Sequence, residues 1–206
     1  MLITRRLNGC GEKKVCNCHV VIKSGNGCII KTALSFACAL NIPGHIWSVD
    51  FVHDKLSNGR SYKILTVLDE YTREAICVAA KTRMGHTEVL EILYPLFLRH
   101  GKPTYLRSDN GSEFIARDLQ AWLNRVGIKP IQIYPGSPWE NGYNERFNGT
   151  LRREVLNAEW FSTIKQAQIV INTWLKQYNY IRPHQALNMR PPMPEILRQV
   201  GTDRWG

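Results

Sequence analysis

Apolar and polar positions are most clearly patterned from His45 onward. Ile46-Trp47-Ser48-Val49-Asp50-Phe51-Val52, Tyr62 to Leu68 and Ala75 to Ala80 are short apolar, β-branched or aromatic runs separated by turn residues such as Ser57-Asn58-Gly59. They predict three consecutive antiparallel strands. The period then changes. From His86 to His100, Val89, Leu90, Leu93, Leu96 and Phe97 form an i, i+3, i+4 stripe that ends at Gly101 and Pro103, which predicts a helix. Thr104 to Arg107 reads as a fourth strand. Phe114 to Val126 reads as one helix, with Leu119, Trp122 and Leu123 at helical spacing and Gly127 as its stop, and Ile128 to Ile133 as a fifth strand. A further helix is expected after Pro135-Gly136-Ser137-Pro138, where Ser137, Pro138 and Glu140 match a capping box. A last helix, about Thr163 to Tyr178, has Ile164, Ala167, Ile171, Trp174, Leu175 and Tyr178 on one core-facing stripe. A meander followed by alternating helices and strands predicts an α/β fold. Its mixed five-stranded sheet is flanked by helices, with Asp50 and Asp109 on neighbouring strands and ligand-facing residues at strand ends.

Composition narrows the partners. At 206 residues and 44% hydrophobic content the chain buries one full core and is too short for two independent enzymatic domains. Residues 1–44 are an atypical basic segment of weak periodicity, with six basic residues against the single acid Glu12. The patterned core is expected over 45–195 and a tail over 196–206. Lys and Arg outnumber Asp and Glu 27 to 17, giving net +10 and a pI near 9.5, which favours a polyanion such as nucleic acid. No apolar run is long enough to span a bilayer and no leader pattern is read, so a cytoplasmic, nucleoid-associated protein without a membrane partner is expected. Cys10, Cys16, Cys18, Cys28 and Cys38 precede residue 40. Cys-x-Cys-His lacks the spacing of paired zinc thiolates, so these are read as ordinary reduced thiols.

The candidate chemistry lies in three carboxylates. Asp50 ends the first strand, Asp109 opens Asp109-Asn110-Gly111-Ser112-Glu113-Phe114, and Glu145 sits in the helix after Pro138, with 35 residues between Asp109 and Glu145. Acids brought together from separate elements cannot neutralise one another; they raise their pKa values or hold cations. In a basic chain the second option points to Mg²⁺ and phosphate. At 100° per residue, Asn141 and Arg152 lie within about 40° of Glu145's direction, whereas Glu140 points about 140° away and is left with the capping role. Arg146 and Arg153 join Arg152 in a basic cluster suited to phosphate contact. Tyr143 and Trp139 are placed either to stack on unpaired bases or to pack a helix start. Asp54 and Asp69 are read as structural acids, Glu113 as a helix cap and His184 as a docking contact of the tail.

Five segments in order carry a resemblance: Trp47 to Phe51, Leu68 to Glu74, Arg107 to Phe114, Pro135 to Asn148 and Tyr178 to Leu187. With the Asp-to-Glu gap, they resemble the catalytic core of DDE-type, orfB-type insertion-sequence transposases of the retroviral-integrase-like group, over about residues 45–195. The resemblance implies a ribonuclease H-like fold and two divalent ions, Mg²⁺ or Mn²⁺, on Asp50, Asp109 and Glu145. It also implies double-stranded DNA, both transposon ends and target, as substrate. Arg152 stands seven residues after the glutamate, where the family carries a basic residue that touches the transposon end. In such sites one ion activates a water or 3′ hydroxyl and the other stabilises the leaving oxygen, so cleavage and joining share one site. Holding two ends implies a homodimer or larger assembly, with a separate upstream DNA-binding transposase subunit as a further partner. Residues 1–44 lack the helix-turn-helix character that family members usually carry ahead of the core, as a truncated or frame-shifted copy would. Two rival readings are a catalytically silent DNA-binding remnant and a ribonuclease H-like nuclease without strand transfer.

Overall fold

The computed structural model describes residues 43–133 and 141–193, together with the backbone of two strands, β1 (Val20–Lys23) and β2 (Cys28–Lys31). The chain divides into two units, Met1–Asn41 and Ile42–Gly206. In the first, β1 and β2 pair antiparallel, Val20 opposite Lys31. The remaining expectations for residues 1–42, including the cysteines, and those for Ser137 to Glu140 and the tail over 196–206, lie outside the described residues.

The second unit holds a five-stranded sheet in the order β5-β4-β3-β6-β7. Its strands are β3 (Ile46–Lys55), β4 (Ser61–Asp69), β5 (Ala75–Lys81), β6 (Tyr105–Ser108) and β7 (Lys129–Gln132). The first three pair antiparallel through short turns, with Gly59 at φ 79 closing the first, a backbone that favours glycine. Helix α1 (His86–His100) then crosses over to β6, which lies parallel to β3, and β7 adds parallel to β6. The mixed sheet is thus present, with every predicted strand in place.

Alternation along the strands, interrupted by a register shift between β4 and β5, sends side chains to two cores. On one face Trp47, Val49, Leu65 and Val67 pack with Val89 and Leu93 of α1 and with Phe114, Leu119 and Leu123. On the other, Val52, Ile64, Leu68 and Val78 pack under α4 (Gly142–Leu151) and α5 (Ile164–Tyr180), through Phe147, Leu151, Ile171, Trp174 and Tyr178. Thr163 caps α5 by accepting from the Gln166 N–H at 3.2 Å. The segment read as one helix from Phe114 is two, α2 (Ser112–Ile115) and α3 (Arg117–Arg125), broken at Ala116, whose backbone is extended at φ −54, ψ 131. The break lets Phe114 stack on Phe51 at 4.9 Å while Leu119 and Leu123 keep their own stripe. After Leu151 the last turn widens into a π-helical segment, Arg152–Leu156.

Glu74, in the β4–β5 turn, is half-buried. Burial, then the nearby charge of Asp69, pushes its carboxyl up to about 7. An unfolded glutamate titrates near about 4.3. The folded value is the higher one, so Glu74's contribution to stability is complete below about pH 4 and is lost as pH rises through about 7. Glu74→Gln should therefore match the wild type near pH 4 and exceed it near pH 8 by roughly 1–2 kcal/mol, allowing for partial screening by water. Urea midpoints at both pH values check this; an equal offset at both would contradict it.

Candidate functional site

Ser48, Asp50 and Val52 point to the α4 side of the sheet: Val52 enters that core, and Ser48 Oγ donates to Asn144 Oδ1 of α4 at 3.2 Å. Asp50, between them, faces the same helix. Its half-buried carboxylate is held on both oxygens. Oδ1 accepts from the Phe51 N–H at 2.8 Å, and Oδ2 accepts from Asn148 Nδ2 at 2.9 Å and Asn141 Nδ2 at 3.2 Å. Asn141 stands at the N-cap position of α4 but makes no side-chain cap bond there.

β6 brings the second acid. Ile46 pairs with Tyr105 and Ser48 with Arg107, and continuing this register two residues sets Asp109 beside Asp50. Asp109 Oδ1 accepts from the Gly111 N–H at 3.0 Å. A Cβ on Gly111 would also meet that oxygen at 3.0 Å, so a side chain there would push the Asp109 carboxylate by a few tenths of an ångström. Glu145 is exposed in the first turn of α4.

Burial is the largest influence raising the Asp50 pKa. The Phe51 and Asn141 bonds oppose it, and the charges of Asp109 and Glu145 add to it. Asp109 and Glu145 thus act on Asp50 as like charges, and none of the three joins an ion pair among the described residues. Asn141 Oδ1 and Asn148 Oδ1, buried without a partner among those residues, add uncharged oxygen donors at the same place. Hard oxygens around unrelieved negative charge suit Mg²⁺ or Mn²⁺. The arrangement is open: among the described residues no three His, Cys, Asp or Glu side chains are gathered as one ion's ligands.

The residues proposed for DNA contact fall on two flanks of α4. Asn141 is spent on Asp50, and exposed Arg152 donates through NH2 to His53 O of β3 at 2.9 Å. Tyr143 and Arg146, about 160° and 100° round the helix from Glu145, line a separate cleft with Arg153. Asn144 and Asn148 were missed from sequence, although with Asn141 they form a polar stripe at i, i+3, i+7. Gly111 holds the N-cap position of α2, while Glu113 serves the helix start from its first turn, its carboxylate accepting from its own backbone N–H and also pairing with Lys63 of β4. Asp54 accepts from Tyr62 OH at 2.9 Å and Asp69 from three backbone N–H groups, both structural roles. His184 docks the segment after α5, its ring 4.7 Å from that of Tyr178.

Two family models, both described as Integrase core domain, match residues 41–138 and 126–192. A protein of insertion element IS476 from Xanthomonas euvesicatoria is 42% identical over 154 residues, covering 75% of this chain and 44% of its own length. One from insertion element IS407 of Burkholderia multivorans is 41% identical over 150 residues, covering 73% and 54%. The chain therefore spans about half the length of these relatives. The transposase for insertion sequence element IS904 of Lactococcus lactis is 26% identical over 153 residues, covering 73% of this chain and 60% of that one. Among solved structures, the HTLV-2 integrase catalytic core domain in complex with magnesium (trimeric form) superposes with TM-score 0.58 at 22% identity, over 72% of this chain and 94% of that one. That likeness shows the fold, a ribonuclease H-like sheet flanked by helices.

Proposed function

Because residues 41–192 belong to the integrase core domain family, we propose that this chain is the catalytic core of an insertion-element transposase, performing metal-dependent cleavage and strand transfer at the ends of a mobile DNA element. The observation that carries the reading is Asp50: a half-buried carboxylate fixed by three N–H donors, its pKa raised by burial and then by two neighbouring acids, and in no ion pair among the described residues. Asp50, Asp109 and Glu145 would hold the ions, which when bound supply activation of an attacking water or 3′ hydroxyl and neutralisation of the leaving oxygen. The protein's own part is orientation. Phe51, Asn141 and Asn148 lock the Asp50 carboxylate, the glycine turn aims Asp109, and Arg152, tied to β3, offers cationic surface beside Glu145. Double-stranded DNA as partner, assembly into a dimer or larger oligomer, cooperation with a separate end-binding subunit and a nucleoid location belong to the same proposal; the net charge of +10 supports its DNA part. Among the described residues no helix is long and apolar enough to cross a membrane.

The test is resolution of a branched DNA that mimics a joined product, a substrate that asks little of end recognition. The wild type should resolve it with Mg²⁺ or Mn²⁺ and not in EDTA, and Glu145→Gln should fail. Equal turnover by both proteins would reject the assignment. Digestion of RNA·DNA hybrids without action on the branch would indicate a general nuclease, and metal binding with neither activity a silent remnant.

A further inference from the structure

The flank of α4 turned away from Asp50 borders a cleft of about 390 Å³, closed by the β4–β5 turn, the end of α5 and the segment after it. This volume is in the range of small-ligand sites. Its walls carry four guanidinium groups, from Arg73, Arg146, Arg153 and Arg182, and the rings of Tyr143 and Tyr178. Arg182 is answered by Glu154, NH1 to Oε2 at 2.5 Å. The acid in the wall, Asp69, is already engaged by the N–H groups of Gly44 at 2.6 Å, Tyr71 at 2.8 Å and Thr72 at 3.4 Å. No ion pair among the described residues involves Arg73, Arg146 or Arg153.

Arg73 is the built part. Its backbone is left-handed at φ 64, an uncommon state for a non-glycine residue, and its guanidinium lies 3.5 Å from the centroid of the Tyr143 ring. Its NH1 is buried with no hydrogen-bond partner among the described residues. A buried cationic donor left unanswered costs stability unless something meets it.

We propose that this cleft is a second nucleic-acid site. It takes one phosphorylated nucleotide unit of a DNA strand, with the phosphate on Arg73, Arg146 and Arg153 and the base along the side of Tyr143 that Arg73 leaves uncovered, while Tyr178, 8% exposed, only floors the cleft. Forked guanidinium groups match phosphate oxygens two at a time, and flat rings accept any base. An acidic peptide would satisfy the arginines but leave the Tyr143 ring without a flat partner. The inference rests on the DNA-processing reading and adds a contact off the catalytic face, on the helix that carries Glu145.

The full chain in EDTA is titrated by calorimetry with a deoxynucleoside 5′-monophosphate and with the same deoxynucleoside lacking the phosphate. The phosphorylated one should bind about tenfold tighter, the worth of one good charge-assisted contact. Arg73→Asn, which keeps a residue tolerant of the left-handed turn, and Arg146→Gln, on the exposed helix surface, should each erase that preference. Lys81→Gln, an equal loss of charge on β5 away from the cleft, should keep it. Equal affinity for the nucleotide and the nucleoside, wild-type binding by both arginine variants, or displacement by a polyglutamate peptide at the same concentration would overturn the assignment. Loss of the phosphate preference with branched-DNA resolution intact removes the cleft and leaves the catalytic reading. Phosphate-dependent binding by a chain that resolves no branch does the reverse.

Discussion

Asp50→Asn is expected to lower metal-dependent resolution of branched DNA by at least about a thousandfold, the loss of some 4 kcal/mol of transition-state stabilisation, while the protein stays folded. The substitution keeps the side chain's shape and removes its charge. Phe51 N–H can still donate to the remaining carbonyl oxygen. The amides of Asn141 and Asn148, which now donate to Oδ2, have unpartnered Oδ1 atoms and can turn over to accept from the new amide. Removing a carboxylate whose burial and acidic neighbours already disfavour ionisation should leave the melting temperature in EDTA unchanged or higher. Metal is the discriminating variable. Excess Mg²⁺ should raise the melting temperature of the wild type, because a ligand bound only by the folded state stabilises it by mass action, and should raise that of Asp50→Asn far less. A variant that melts early in EDTA, or that retains the Mg²⁺ shift, would assign Asp50 a structural role.

The parts of the fold that could be read in advance are those where one chemical pattern outweighs its rivals. β3, β4 and β5 read as near-continuous apolar runs because each faces two cores, and α1 runs over the predicted His86–His100 because its stripe ends against a glycine. The neighbouring placement of Asp50 and Asp109 followed from the crossover between their strands. The break at Ala116 was hidden: neither glycine nor proline marks it, and the cause is a long-range stack of Phe114 on Phe51. The π-helical turn at Arg152 has no one-dimensional signal either. Around the site, the carboxylates stand out by motif, but Asn148 acquires meaning only once Asp50 is seen to face α4. Arg146 and Arg153 looked continuous with Arg152 along the chain, yet they line a cleft whose other walls come from Arg73 and Arg182, far away in sequence. Buried ion pairs share this property, since each partner alone resembles a surface charge.

Glu70 and Arg107 are such a pair, and breaking it should have the largest effect on stability. Glu70 follows β4, 1% exposed, its N–H bonded to Ile46 O at 3.1 Å; Arg107 lies in β6, 3% exposed, its NH1 reaching both Glu70 oxygens at 2.6 and 2.8 Å. The bond spans from the end of β4 across β3 to the strand that delivers Asp109. Burial pushes the Glu70 carboxyl up, and the Arg107 guanidinium is the strongest influence pulling it back. Glu70→Ala should cost about 3–5 kcal/mol, because a guanidinium cannot shed its charge and is left buried without this carboxylate. Arg107→Ala should behave differently. The stranded carboxyl can take a proton, so the cost should be clearly smaller near pH 5 than near pH 8, where ionisation in a buried place is required. Replacing both at once, Glu70→Leu with Arg107→Met, should recover most of the loss, since an apolar pair of similar volume avoids the desolvation of two ions. Guanidinium chloride midpoints of the four proteins at both pH values decide this. A pH-independent cost for Arg107→Ala, or a double variant as weak as the sum of the singles, would mean that packing rather than charge holds β6 in register. If charge holds it, branched-DNA resolution by the double variant should recover together with its stability, because the pair acts on Asp109 only by placing the strand before it.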